Sequence, residues 1–118
     1  SNSSAIESPE AAYNAVYKLY QDERFTTVLE KSTVLINQFS GDEIVSKFEL
    51  LKANTIGKLY GLTAYKNALQ EIADNYPNRE EGKNAQKILN QSKFQFSLLT
   101  EYSTSSIKYN CSLLLYSL

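Results

Sequence analysis

Tyr13, Val16, Tyr17 and Tyr20 recur three and four residues apart, a spacing that predicts one face of a helix. Just before them, Ser8-Pro9-Glu10 supplies a start: a cap hydroxyl, a proline at the first helical position and an acid at the positive end of the helix dipole. Phe25, Val28, Leu29, Ser32, Leu35, Ile36 and Phe39 predict a second helix with a sustained apolar face. Ser40-Gly41-Asp42 breaks it, and Asp42 is placed to cap the next helix, in which Ile44, Val45, Phe48, Leu51, Ile56 and Leu59 keep the period until Gly61 stops it. Tyr65, Ala68, Leu69, Ile72, Ala73 and Tyr76 form a fourth face, closed by Pro77. Asn78-Arg79-Glu80-Glu81 has the spacing of a capping box and opens a fifth helix carrying Ala85, Ile88 and Leu89.

After Ser92 the period changes. Phe94, Phe96 and Leu98 alternate with Gln95 and Ser97, Ser103-Thr104-Ser105-Ser106 reads as a turn, and Ile107, Tyr109 and Cys111 alternate again. This predicts a short C-terminal β-hairpin. The expected organisation is therefore a disordered segment over 1–7, a helical region over 8–91 and a β segment over 92–118. Because the chain ends on apolar residues, further polypeptide is expected to follow it.

An internal repeat overlies this pattern. Lys18-Leu19-Tyr20, then Phe25, then Val28-Leu29 matches Lys58-Leu59-Tyr60, then Tyr65, then Ala68-Leu69, at an offset of 40 positions. Each string covers the end of one helix, a turn and the start of the next. Stacked helical hairpins leave such a trace, because each buries its face only against a neighbour. An aromatic at the start of the second helix wedges the pair apart, and a smaller residue three positions on lets it close.

Composition narrows the function. The chain has 118 residues, enough for one core. Its 12 basic and 13 acidic residues leave no cationic excess to neutralise phosphates, so no nucleic-acid partner is expected. There is no histidine, which excludes His-based triads and His metal sites. No apolar run is long enough to span a bilayer, so the chain is not expected to insert in a membrane itself. Cys111 lies in an apolar stretch with no residue to activate it and reads as a structural thiol. Glu71, Asp74, Glu80 and Glu81 cluster around one turn, but they lack the fixed oxygen spacing of a calcium loop. Gly57 and Gly61 lack the preceding strand and following Gly-Lys-Ser/Thr of a phosphate loop. No cofactor and no enzymatic activity are expected.

With Ala12, Ala15, Val16, Leu19, Phe25, Val28 and Phe39-Ser40 near its small and aromatic positions, the first unit resembles the tetratricopeptide-repeat (TPR) class. The second unit ends Ala68-Leu69 to Tyr76-Pro77-Asn78, like the tyrosine-proline turn of TPR-like lipoproteins. Lys47-Phe48-Glu49-Leu50-Leu51-Lys52-Ala53, Ile56-Gly57-Lys58, Tyr65 to Leu69 and Asn75 to Leu89 resemble a segment of the TPR-containing lipoproteins of gliding motility and type IX secretion in Bacteroidetes. That likeness covers roughly Ile44 to Leu89. It implies a mainly α fold of about five helices in TPR-like antiparallel hairpins, with the short β segment after them. It also implies a periplasm-facing, outer-membrane-associated scaffold. The lipid-bearing cysteine of such lipoproteins is not in this chain, so attachment is expected only of a parent protein.

In TPR-like packing, the face of Tyr13, Tyr17 and Tyr20 lines the groove that receives a protein partner, with Asn14 and Gln21 flanking it as amide donors. Tyrosine suits this role, giving apolar contact from its ring and direction from its hydroxyl. The same stripe could instead bury itself on the second or third helix. Two repeats fall short of the roughly three that a solenoid usually needs. The C-terminal segment or a second copy must then cover an exposed face, and strand exchange would give a homodimer through the C-terminal strand. Rival expectations are a small-molecule or enzymatic site between the helices and the C-terminal strands, and a spacer with no groove partner. The enzymatic alternative requires a deep pocket with convergent polar groups.

Overall fold

The computed structural model describes residues 7–91, and these are mainly helical, with five helices and no strand among the described residues. The expected C-terminal hairpin over 92–118 lies outside the described residues. The first helix, α1 (Pro9–Gln21), starts on the predicted signal: Ser8 Oγ accepts the Ala11 N–H at 3.1 Å, with Pro9 and Glu10 in the first turn. A short turn, in which Glu23 takes a φ of 63°, leads to α2 (Phe25–Gln38). Gly41, with a φ of 90°, reverses the chain, and Asp42 Oδ1 then accepts the Ile44 N–H at 2.8 Å to start α3 (Ile44–Tyr60). Gly61, at φ 96°, both ends α3 and directly precedes α4 (Leu62–Asn75). Left-handed backbone of this kind favours glycine, so one residue suffices for the whole connection. A fifth helix, α5, spans 80–91.

The capping box predicted at Asn78–Glu81 is not formed. Glu81 Oε1 instead accepts the Ser46 Oγ–H at 2.8 Å, tying the start of α5 to α3. Gly82 is buried beneath Tyr76, where an added Cβ would overlap the Tyr76 carbonyl. Residues up to Gln86 form one compact unit; a second begins at Lys87, within α5.

The core gathers around α3. Ala12 and Val16 of α1, Val28 of α2 and Ile44, Phe48 and Leu51 of α3 form a buried cluster, with Tyr13, Leu19, Tyr20, Leu35, Ile36 and Phe39 packed against it. Phe48 is fully buried, edge-on to Tyr13 at 5.3 Å and near-parallel to Phe39 at 6.4 Å between ring centroids. Ala53 and Ser46, roughly opposite this stripe on α3, are buried too, and Thr55 Oγ1 donates to the Leu51 carbonyl at 2.8 Å. α3 touches α1, α2 and α4, and α1 touches α2, whereas α2 and α4 do not meet. α1 and α3 therefore form one layer, with α2 packed on both and α4 packed on α3.

The hairpins do repeat, but in a different register from the sequence strings. α2 and α4 are 14 residues each and open at Phe25 and Leu62, which sets a 37-residue offset. The surface grooves of the two hairpins agree. Ala12, Ala15, Val16, Leu19, Lys31, Val34 and Leu35 line the first, and Glu49, Lys52, Ala53, Ile56, Ala68, Glu71 and Ile72, each 37 positions on, line the second. In this register Phe25 and Tyr65 are not equivalent. Phe25 opens its helix and packs edge-on to Tyr20 at 5.4 Å, whereas Tyr65 lies one turn into α4 against the backbone of Gly57. Tyr20 and Gly57 are themselves equivalent, so the bulk at this crossing comes from the first helix in one hairpin and from the second in the other.

Candidate partner-binding site

The three tyrosines of α1 form one row. Tyr13 and Tyr17 stack at 6.1 Å and 17°, and Tyr17 and Tyr20 at 6.1 Å and 19°. Both ends of the row are anchored, Tyr13 on Phe48 and Tyr20 on Phe25. Tyr17 bridges them and remains 42% exposed. Lys47 of α3 approaches Tyr13, its Nζ 5.7 Å from the ring centroid and 3.9 Å from Glu10 Oε1. The ends of the stripe join the packing of the helices, and its middle faces solvent. Burial pushes the Tyr13 hydroxyl above its ordinary pKa, as do Tyr17, Glu81 and Glu10; Tyr20 is raised by burial and by Tyr17. These hydroxyls remain protonated hydrogen-bond donors at neutral pH.

Tyr20 also opens onto a cleft of about 500 Å³, lined with Asn54, Gly57, Lys58, Gly61, Leu62 and Tyr65. Gly57 creates it. A Cβ there would lie 3.0 Å from the Tyr65 ring, so the missing side chain is what lets Tyr65 settle against α3. The Tyr65 hydroxyl is raised by burial and by neighbouring Tyr20, which places the two phenols within electrostatic reach. The spacing of residues along the chain does not mark Asn54, Lys58 and Tyr65 as sharing a cleft with Tyr20, because the packing of α4 on α3 brings them together.

Asn14 and Gln21 are both exposed. Gln21 ends α1 beside Tyr20 and is equivalent to Lys58 of α3. Asn14 stands where α3 carries the buried Leu51, on a different side of α1 from the tyrosines. That side of α1 presents Ala11, Asn14 and Lys18, all exposed, at the positions of Phe48, Leu51 and Thr55, all buried. Asn14 therefore belongs to this exposed side of α1 rather than to the row of tyrosines.

The other grooves differ in chemistry. The first hairpin's groove, about 350 Å³, is mostly apolar, with Val34 61% exposed. Its counterpart, about 160 Å³, holds Glu49, Lys52, Glu71, Asn75 and Tyr76. Burial raises the Glu49 carboxyl above its ordinary range; Lys52 lowers it and Glu71 raises it. Among the described residues, no group of three or more His, Cys, Asp or Glu is placed to hold a metal, and no helix is long and apolar enough to cross a membrane. In comparisons with known proteins, neither a family model nor a curated protein matches the chain.

Proposed function

We propose that this chain is a non-catalytic interaction scaffold of TPR-like hairpins, and that the α1/α3 layer receives a segment of a protein partner. The observation that carries this reading is Tyr17, half-exposed between two anchored rings. A ring held by neighbours loses little freedom on binding, so its apolar face and hydroxyl are available at low entropic cost. Asn54 and Lys58 continue the surface along α3, giving polar contacts beside the aromatic ones. The resemblance of Ile44 to Leu89 to gliding-motility and type IX secretion lipoproteins supports an envelope setting, with membrane attachment belonging to a parent protein.

Substitution of Tyr17 by Ala tests the reading. Affinity for a captured envelope partner should fall at least tenfold, as for an interface anchor worth more than about 1.4 kcal/mol. The melting temperature should move little. Undiminished affinity, or loss of affinity only in step with unfolding, contradicts the proposal.

A further inference from the structure

We propose that the cleft between Tyr20 and Tyr65 takes an acidic peptide segment of the partner, an inference that rests on the α1/α3 layer being the partner surface. The argument begins with charge. From Leu50 to Gln70 the chain carries Lys52, Lys58 and Lys66 and no Asp or Glu, although the whole protein has a net charge of -1. Apart from Tyr20, the cleft's lining lies within this stretch, and Lys58 is the only charged residue among the described ones lining it. Among the described residues Lys58 forms no ion pair, and Asp22 of the α1 end is held by Lys18 at 2.9 Å.

The remaining polar groups can each donate a hydrogen bond as well as accept one. Asn54 brings an amide and Tyr20 and Tyr65 bring hydroxyls. Gly61 has no side chain to cap α4, so the first N–H groups of that helix have no side-chain acceptor, and Gly61 and Leu62 both line the cleft. A carboxylate would be matched by Lys58, Asn54 and these amides, and an adjacent apolar side chain by the two phenol rings and Leu62. A basic segment would meet Lys58 as a like charge.

The test titrates the full ¹⁵N-labelled chain with three blocked pentapeptides, Leu-Glu-Phe-Asp-Leu, Leu-Gln-Phe-Asn-Leu and Leu-Lys-Phe-Lys-Leu, and with inorganic phosphate. The proposal expects the acidic peptide to shift the amides of Asn54, Lys58, Leu62 and Tyr65 at a concentration about tenfold below the neutral one, with added salt weakening it. Lys58→Glu should remove that preference, and Lys31→Glu, in the other groove, should leave it intact. Equal response to the neutral or basic peptide overturns the acidic assignment while leaving the partner surface standing, provided Tyr17 amides still shift. Equal response to phosphate at the same concentration shows an anion site and overturns the peptide assignment. No shift with any peptide overturns the cleft as a binding site, and the Tyr17→Ala affinity measurement then decides the wider reading independently.

Discussion

Phe48→Ala removes the side chain on which both hairpins converge. Phe48 is fully buried, with one ring neighbour from α1 at 5.3 Å and another, Phe39, at 6.4 Å. Truncating a buried phenylalanine costs about 3–5 kcal/mol, and each lost aromatic pair accounts for about 0.5–1.5 kcal/mol within such a loss. With two pairs lost, the expected value is about 4 kcal/mol, a large part of the roughly 5–15 kcal/mol that holds a domain together. At roughly 4–8 °C per kcal/mol, the melting temperature should drop by at least about 15 °C. Urea denaturation followed by far-ultraviolet circular dichroism measures it. Tyr17→Ala is the internal control. Its stacking partners lie on its own helix, where such pairs contribute only about 0.2–0.5 kcal/mol each, and alanine is the better helix former. A Phe48→Ala loss below about 1.5 kcal/mol, or a Tyr17→Ala loss equal to it, would refute the assignment of core and surface.

Three further outcomes follow from individual contacts. Ser32 is fully buried and its hydroxyl has no hydrogen-bond partner among the described residues, so Ser32→Ala should raise stability by about 1 kcal/mol, measured by the same denaturation; a loss of that size would reveal a bond to the hydroxyl. Gly82→Ala should cost at least the roughly 1–3 kcal/mol of an overpacked site, since the new methyl meets the Tyr76 backbone, and an unchanged melting temperature would show that α5 starts differently. The folded state raises the Glu49 pKa, so it holds a proton that the unfolded chain releases. The resulting stability is present below the unfolded pKa and is lost as pH rises through the folded one. Glu49→Gln should therefore stabilise at neutral pH and lose that advantage below about pH 4; a pH-independent effect would contradict the burial of this carboxyl.

Helix starts and stops were legible because they depend on one or two residues acting locally. Ser8 caps α1 through its own hydroxyl, Asp42 accepts the Ile44 N–H, and Gly61 adopts a backbone conformation that other residues avoid. The face of Tyr13, Tyr17 and Tyr20 was equally visible from its spacing. The register of the repeat was not. Matching residue types aligns Lys18-Leu19-Tyr20 with Lys58-Leu59-Tyr60, yet packing pairs Tyr20 with Gly57. At a helix crossing, the total volume is constrained rather than which helix supplies it, so a large and a small residue can trade places. Tyr60 kept its identity but is 66% exposed, because Tyr65 already fills the crossing. Glu81 likewise looked like a local cap and instead bonds Ser46, a partner 35 residues away that no short motif encodes.

The most direct test of the central claim is photo-cross-linking with a benzoylphenylalanine placed singly at position 17, 54, 34 or 14 of the full chain, in the presence of a protein captured by the unmodified chain. If the α1/α3 layer receives the partner, positions 17 and 54 should attach to one contiguous partner segment, while Val34 in the apolar groove and Asn14 on the other exposed side of α1 should give little product. Cross-linking concentrated at 34 or 14, with 17 and 54 silent, would contradict the account.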